Sequence, residues 1–193
     1  QSHYGKSKAL AEEKALGCQP QFPITILRPP SLYGPGDTRF LPLYKAVHRG
    51  LVTLPSSQGE ASFLHIDDMC QAVVSALRTP HPGPCVFELD DGKTHEISSL
   101  IHLIQGGIDV KKPRLIRIPH TVLWTVAVCL EAAGAFSGKA TLLTRDKMKD
   151  LRNPHWVTSS ASFQDATGWR PQISLEKGVT ETATWYKEQG WLP

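Results

Sequence analysis

The chain has 193 residues, of which 40% are hydrophobic and 20% are charged, and its formal net charge is +3. This length allows one domain with a real hydrophobic core, and the composition is typical of a globular protein. Because the net charge is small and the Lys and Arg residues are scattered along the chain, we expect no binding to nucleic acid.

The cysteine and histidine residues predict neither disulfides nor a metal site. The cysteines lie far apart without a CxxC pair, and we expect mostly buried free thiols, at Cys18, Cys70, Cys85 and Cys129. Four of the histidines share no ligand spacing with them or with each other: His65, His81, His95 and His102. Free thiols favour a reducing, cytoplasmic location.

The first predicted element is a helix over residues 4–17, which opens with Tyr4-Gly5-Lys6-Ser7-Lys8. Tyr4 and Lys8 are four residues apart, so a helix places them on one face. An ammonium beside a phenol favours the phenolate, and the pair is therefore a candidate proton-transfer unit. Taken alone, the spacing fits an exposed pair without chemistry equally well.

The next segment predicts a buried parallel strand over residues 24–28, because it is short, apolar and rich in β-branched residues. A helix followed by a strand is the repeat unit of a doubly wound α/β sheet. Pro29-Pro30 ends the strand, and we expect a loop from Ser31 to Asp37 at its carboxyl end, where open α/β sheets bind ligands. A rigid surface turn is the alternative for this Pro- and Gly-rich loop.

The remaining elements are predicted from periodicity and from capping residues. Asp67 or Asp68 is expected to cap a helix that reaches Leu77, and Thr94 to cap a helix over 97–104. Residues 118–136 are apolar, but His120 and Glu131 favour a largely buried helix over a membrane span. Other helices are predicted at 38–50, 120–134, 141–151, 161–167 and 175–189, and strands at 51–54, 61–64, 86–89 and 115–118, with a loop at 81–84.

Together with the YxxxK segment, three later segments carry a family resemblance. They read ILRPPSLYGPGD at 26–37, FLHIDD at 63–68 and DATGWRP at 165–171. In this order they resemble the extended short-chain dehydrogenase/reductase superfamily, of the NAD-dependent epimerase/dehydratase type. The resemblance implies an α/β fold, with the C-terminal part of a Rossmann-type parallel sheet plus a small, mostly helical substrate-binding domain. Residues 1–193 then form the C-terminal portion of one such domain, with the N-terminal cofactor-binding half missing.

The resemblance also implies a reaction, which is NAD- or NADP-dependent oxidoreduction or epimerisation at a secondary alcohol or ketone. Tyr4 exchanges a proton with the substrate, Lys8 holds the nicotinamide ribose, and the backbone at Pro30 and Ser31 faces the nicotinamide. The partner is a small-molecule substrate, a homodimer is possible, and membrane association is not expected. The chain has no Gly-rich phosphate loop and no catalytic Ser or Thr upstream of Tyr4, so we expect it to be inactive alone. The alternative is a non-catalytic family member that serves as a binding or assembly subunit.

One departure from the family pattern concerns the substrate. Members that act on nucleotide sugars usually carry an Arg-Asp pair just before the FLH segment, and the Arg binds the substrate diphosphate. Ala61 and Ser62 stand at those positions here. A methyl group cannot replace a bidentate guanidinium, so the sequence favours a smaller or more apolar substrate.

Overall fold

The structure is a computed structural model that describes residues 2–18, 23–56, 59–79, 85–137, 144, 146, 148 and 155–193, with the backbone alone for 132–137. Its helices are α1 (His3–Gly17), α2 (Leu41–His48), α3 (Ile66–Arg78), α4 (Ile97–Ile108), α5 (His120–Ser137), α6 (Ala161–Thr167) and α7 (Leu175–Glu188). Its strands are β1 (Thr25–Arg28), β2 (Ser31–Tyr33), β3 (Leu51–Pro55), β4 (Glu60–Ala61), β5 (Phe63–His65), β6 (Cys85–Glu88), β7 (His95–Glu96), β8 (Arg114–Ile118) and β9 (His155–Trp156).

Parallel pairing dominates the described strands. β1 pairs with β6, β2 with β5 and β3 with β8, all in parallel. β4 lies between β7, which runs antiparallel to it, and β9, which runs parallel. Because each parallel pair joins strands that are far apart in sequence, the intervening chain crosses over through helices, as an α/β fold requires.

Two groups of buried side chains form the core. The larger lies between α2, β3, α4 and α7, and its fully buried members include Val47, Val52, Ile101, Ile104, Val179 and Tyr186. The smaller packs β5 and β6 against α3 and α6, through Leu64, Ala72, Phe87, Leu89, Phe163 and Trp169. The predicted inner face of α7, namely Val179, Thr182, Ala183 and Tyr186, is confirmed as buried.

The loop predicted from Ser31 to Asp37 is wrong in its first part, because residues 31–33 form β2. The register places Ser31 beside Phe63 and Tyr33 beside His65. A three-residue strand between Pro29-Pro30 and Gly34 has too few residues to show an alternating pattern, since most strands are longer. The turn residues Gly34, Pro35 and Gly36 do follow it as expected.

Two capping predictions are also wrong. α3 begins at Ile66, before either aspartate, and its N-cap is His65, whose Nδ1 accepts a hydrogen bond from the Asp67 N–H at 3.3 Å. α4 is preceded by Glu96 rather than by Thr94, and no side chain caps it. A strand runs directly into each helix, so the last strand residue takes the capping position.

The apolar segment at 118–136 is less buried than predicted. In α5, Ala127 is fully buried, whereas Val122 and Val126 are 49% and 43% exposed. A helix that is apolar all round gives no sequence signal for its inner face, and only one stripe of α5 packs inward. Within the described part of the chain, no helix combines the length and the apolarity needed to cross a bilayer.

The prediction of mostly buried cysteines is wrong as well. The thiols of all four cysteines are free, as expected, but Cys18, Cys70 and Cys129 are exposed and Cys85 is half-buried. The three exposed cysteines lie at the end of α1 and on the outer faces of α3 and α5. The predicted loop at 81–84 and most of the predicted helix at 141–151 fall outside the described residues.

Candidate active site

The YxxxK segment lies on the first two turns of α1. Ser2 caps this helix by accepting a hydrogen bond from the Gly5 N–H at 3.1 Å, so Tyr4 sits in the first turn. The Lys8 ammonium nitrogen lies 5.6 Å from the centre of the Tyr4 ring, which places both groups on one face. Tyr4 is 64% exposed and Lys8 is also exposed. Among the described residues Lys8 has no hydrogen-bond partner, so its three N–H donors are available to a ligand.

The same face of α1 is hydrogen-bonded to the end of β1. Glu12, four residues beyond Lys8, accepts hydrogen bonds from the Arg28 guanidinium, with Nε 3.0 Å from Oε1 and Nη2 bonded to Oε2. Arg28 is the last residue of β1 and immediately precedes Pro29-Pro30. Tyr4 is eight residues before Glu12, or about 12 Å along the helix axis. The bond between Glu12 and Arg28 therefore brings α1 to the carboxyl end of β1, with Tyr4 about two helical turns from the contact.

Glu12 and Arg28 were not among the predicted site residues. The signal for Glu12 was present, because the four-residue spacing from Tyr4 to Lys8 continues to Glu12. No sequence pattern indicated that Arg28 would contact Glu12. The contact joins residues that are sixteen positions apart, on a helix and on the following strand.

Pro30 and Ser31, the predicted contacts of the nicotinamide, lie directly beyond the carboxyl end of β1. Pro30 is part of the two-residue link between β1 and β2, and Ser31 is the first residue of β2. Both residues thus follow the strand whose last residue, Arg28, is bonded to Glu12 of α1. It gives no direct contact between Tyr4 or Lys8 and either of them. Their backbone role stays a prediction.

A cleft of about 300 Å³ follows β2, and it is lined by residues 32–37 together with Ile66. β2 and β5 are parallel neighbours, so their carboxyl ends, at Tyr33 and His65, face the same edge of the sheet. Clefts at this edge are the usual ligand sites of open α/β sheets. Asp37 shapes the loop by accepting hydrogen bonds from the N–H groups of Arg39 and Phe40, both at 2.9 Å.

Tyr33 is not placed to act as a base. Its side chain is 4% exposed and packs edge-on against His65, with ring centres 5.4 Å apart. Burial, followed by the charges of Asp91 and Asp68, raises the pKa of Tyr33 above its ordinary value. The phenol therefore stays protonated at neutral pH, and Tyr33 serves as a packing residue.

Gly178 on α7 makes room for this packed pair of rings. A Cβ at this position would lie 2.5 Å from the Tyr33 hydroxyl oxygen and 2.9 Å from His65 Cδ2. We expect Gly178→Ala to lower the free energy of unfolding by about 1–3 kcal/mol, because two buried rings must move. Gly106→Ala is the matched control, since a Cβ there meets nothing within 4 Å.

Chemical denaturation of both variants measures this effect. Gly106→Ala should be neutral or stabilising by up to about 1 kcal/mol, because Ala favours a helix more than Gly does. Equal stability changes in the two variants would contradict the close packing at Gly178.

Asp68 connects two of the motifs that carried the family resemblance. It is 2% exposed, and its two carboxylate oxygens accept hydrogen bonds from the N–H groups of Gln172 at 3.0 Å and Ile173 at 2.9 Å. Those residues directly follow Trp169-Arg170-Pro171, and Trp169 is itself buried. Asp68 is therefore a structural residue that fixes the entry into α7, and the predicted role in capping belongs to His65.

The position of the family's diphosphate-binding Arg is occupied by a small side chain. Ala61 is 7% exposed, and its neighbours across β4 are His95 and Trp156. His95 Nε2 lies 2.7 Å from Asp91 Oδ2, so this ring is already engaged. Ser62 is buried and bonded to the backbone of Thr158. Among the described residues, no group of three or more His, Cys, Asp or Glu side chains forms a metal site.

Comparison with known proteins gives consistent matches. The model of the NAD-dependent epimerase/dehydratase family matches residues 1–89. The chain is 31% identical to ceramide reductase from Caulobacter vibrioides, over all of this chain and 59% of that protein. It is 28% identical to UDP-glucose 4-epimerase from Vibrio cholerae, over 93% of this chain and 52% of that protein. The chain thus spans between half and three fifths of the length of these relatives.

The fold is also that of solved proteins in this group. The structure of dTDP-glucose 4,6-dehydratase from Bacillus anthracis, in complex with NAD, matches with a TM-score of 0.71 and 18% identity. The match covers 97% of this chain and 53% of that one. This likeness, with the parallel strand pairs, confirms the predicted Rossmann-type α/β fold. In its fold, its motifs and its relatives, the chain is similar to the NAD-dependent epimerase/dehydratase family of extended short-chain dehydrogenases/reductases.

Proposed function

We propose that this chain is the later portion of an NAD(P)-dependent oxidoreductase or epimerase that acts on a secondary alcohol or ketone. The observation that carries the proposal is the exposed Tyr4–Lys8 pair on one face of α1, the helix that the Glu12–Arg28 bond links to the carboxyl end of β1. An exposed phenol beside an ammonium without a partner among the described residues fits a site for a nicotinamide ribose and a reacting oxygen.

The proton transfer is assigned to Tyr4. In the reducing direction the Tyr4 phenol donates its proton to the substrate oxygen, and in the oxidising direction the phenolate accepts that proton from the alcohol. Lys8 stabilises the phenolate through its positive charge and donates hydrogen bonds to the ribose hydroxyls. The nicotinamide, when bound, supplies or accepts the hydride at the adjacent carbon. Pro30 and Ser31 are proposed to contact it through their backbone.

The substrate is proposed to be apolar rather than a nucleotide sugar. Ala61 presents a methyl group at the position where sugar-nucleotide members carry an Arg, and His95 beside it is bonded to Asp91. A diphosphate would therefore lack its bidentate partner at this strand. The 31% identity to ceramide reductase supports a lipid-like substrate, although UDP-glucose 4-epimerase is also a relative.

Turnover assays on the full-length protein test the proposal. The probes are the ketone form of ceramide, a medium-chain 3-oxoacyl ester and UDP-glucose, each with NADH and with NADPH. We expect oxidation of the reduced cofactor with at least one of the two ketones and no formation of UDP-galactose. Turnover of UDP-glucose would overturn the proposed substrate class, and failure to reduce either ketone would favour a non-catalytic family member.

Residues 1–193 alone are expected to bind NADH weakly or not at all, and therefore to be inactive. The pyrophosphate of a dinucleotide is normally held by a Gly-rich turn at a helix N-terminus, and the chain contains no G-x-G-x-x-G or G-x-x-G-x-x-G. Titration calorimetry of the isolated chain with NADH and NADPH measures this. Micromolar binding would contradict the assignment of the pyrophosphate site to other parts of the protein.

A further inference from the structure

α1 makes two polar contacts to other elements within the described part of the chain. No residue of this helix is buried. Apart from bonds within the helix and its caps, its described hydrogen bonds reach other elements only at His3, which donates its backbone N–H to Asp146, and at Glu12. These two polar contacts link the helix that carries Tyr4 and Lys8 to neighbouring elements.

The contact between Glu12 and Arg28 has a well-defined geometry. The Arg28 guanidinium donates two hydrogen bonds in a fork to the two carboxylate oxygens, which sets both the distance and the orientation of the pair. The side chains are only partly exposed, 25% for Glu12 and 50% for Arg28. The bond to Arg28 lowers the pKa of Glu12, so the carboxylate stays charged at neutral pH.

Arg28 is itself held in place by the pairing of β1 with β6. Arg28 lies beside Glu88 in the register of β1 and β6, and its carbonyl accepts a hydrogen bond from the Leu89 N–H at 3.1 Å. The Glu88 carboxylate adds a favourable charge interaction with the guanidinium. Two prolines follow and restrict the backbone. The Glu12–Arg28 pair therefore connects α1 to a strand end that is itself held in place.

We propose that the Glu12–Arg28 pair is a positioning clamp that holds the Tyr4–Lys8 pair at the carboxyl end of β1. This inference rests on the proposed function of Tyr4 and Lys8. Glu12 and Arg28 do not touch the reacting atoms, and they act through α1. Because Tyr4, Lys8 and Glu12 share one face at four-residue intervals, a shift at Glu12 is transmitted to Tyr4 along the helix axis. A misplacement of about 1 Å can lower a rate by about 100-fold.

Four variants of the full-length protein test the clamp. Glu12→Gln removes the charge, and Arg28→Lys keeps the charge but loses the fork. The third variant combines both changes. Glu13→Gln is the matched control, because Glu13 is exposed, adjacent, and without a partner among the described residues. The assay is reduction of whichever probe ketone the wild type reduces, alongside NADH affinity and the melting temperature.

We expect kcat to fall at least about tenfold in Glu12→Gln and in Arg28→Lys, with no further fall in the double variant, because the two residues act as one unit. NADH affinity should fall as well, because Lys8 is proposed to hold the ribose, whereas the melting temperature should stay close to that of Glu13→Gln. A kcat equal to that of Glu13→Gln would overturn the clamp. A melting temperature well below that of Glu13→Gln would also overturn it, because a general loss of stability would then explain the fall in kcat. The proposed function is tested separately by Tyr4→Phe. If that variant loses its turnover, the proposed function stands even where the results for Glu12 and Arg28 overturn the clamp.

Discussion

Replacing Tyr4 by Phe in the full-length protein is expected to reduce kcat by about 10²–10⁴-fold, the usual contribution of a general acid or base. The ring remains, and Tyr4 is 64% exposed, so the substitution should leave packing and cofactor affinity almost unchanged. Steady-state kinetics with a reduced ketone substrate measures the rate. NADH fluorescence measures the affinity separately.

Lys8→Ala provides the contrasting variant for this experiment. The ammonium is proposed to hold the ribose as well as to favour the phenolate, so its loss should weaken cofactor binding and lower the rate together. Lys6→Ala is a matched control, because Lys6 is an exposed lysine two residues away on another face of α1. Wild-type turnover in Tyr4→Phe would rule out the proposed proton transfer.

The second large effect is expected on stability. Asp68→Ala should lower the free energy of unfolding by about 3 kcal/mol, because two hydrogen bonds from backbone N–H groups to a buried carboxylate are lost, at about 1.5 kcal/mol or more each. Asp68→Asn should cost about half as much, since one amide oxygen can still accept a hydrogen bond. Chemical denaturation of the full-length protein measures both values.

Asp67→Ala is the matched control for this pair of variants. Asp67 is the preceding residue, its side chain is 71% exposed, and its carboxylate lies 3.7 Å from His65 Nδ1. Its loss should change stability by less than about 0.5 kcal/mol. Should Asp67→Ala destabilise the protein as much as Asp68→Ala, the bonds to Gln172 and Ile173 would not be the source of the effect.

Helices with local signals were predictable from the sequence. α6 has the predicted bounds, and α1 and α7 begin and end within one residue of their predictions. Ser2 and Ser174 mark the starts of α1 and α7, while Gly17 and Gly168 mark the ends of α1 and α6. These signals act within a few residues, so no tertiary information is needed to read them.

Features set by distant contacts were not predictable. β3 and β4 are neighbours in sequence, yet β3 pairs with β8 and β4 pairs with β7 and β9. The bonds of Asp68 reach across 104 and 105 residues, so the sequence favoured a local capping role instead. The exposed faces of α5 follow from packing that its uniformly apolar sequence does not encode.

The candidate site likewise combines features that local signals indicated with features that depend on distant contacts. Tyr4 and Lys8 could be paired from their spacing, because a helix fixes which residues share a face. Their helix is linked to the end of β1 by the contact of Glu12 with Arg28, which no motif indicated. The departure at Ala61 was visible, but the engagement of its neighbour His95 with Asp91 required the fold.

The central claim is that Tyr4 and Lys8 contact the nicotinamide end of the cofactor, and a crystal structure of the full-length protein with bound NAD(H) tests it most directly. We expect the Lys8 ammonium within about 3 Å of a ribose hydroxyl and the Tyr4 hydroxyl facing the nicotinamide ring across the substrate position. A nicotinamide bound away from α1, with neither Tyr4 nor Lys8 within hydrogen-bond reach of the cofactor or its substrate, would contradict the account.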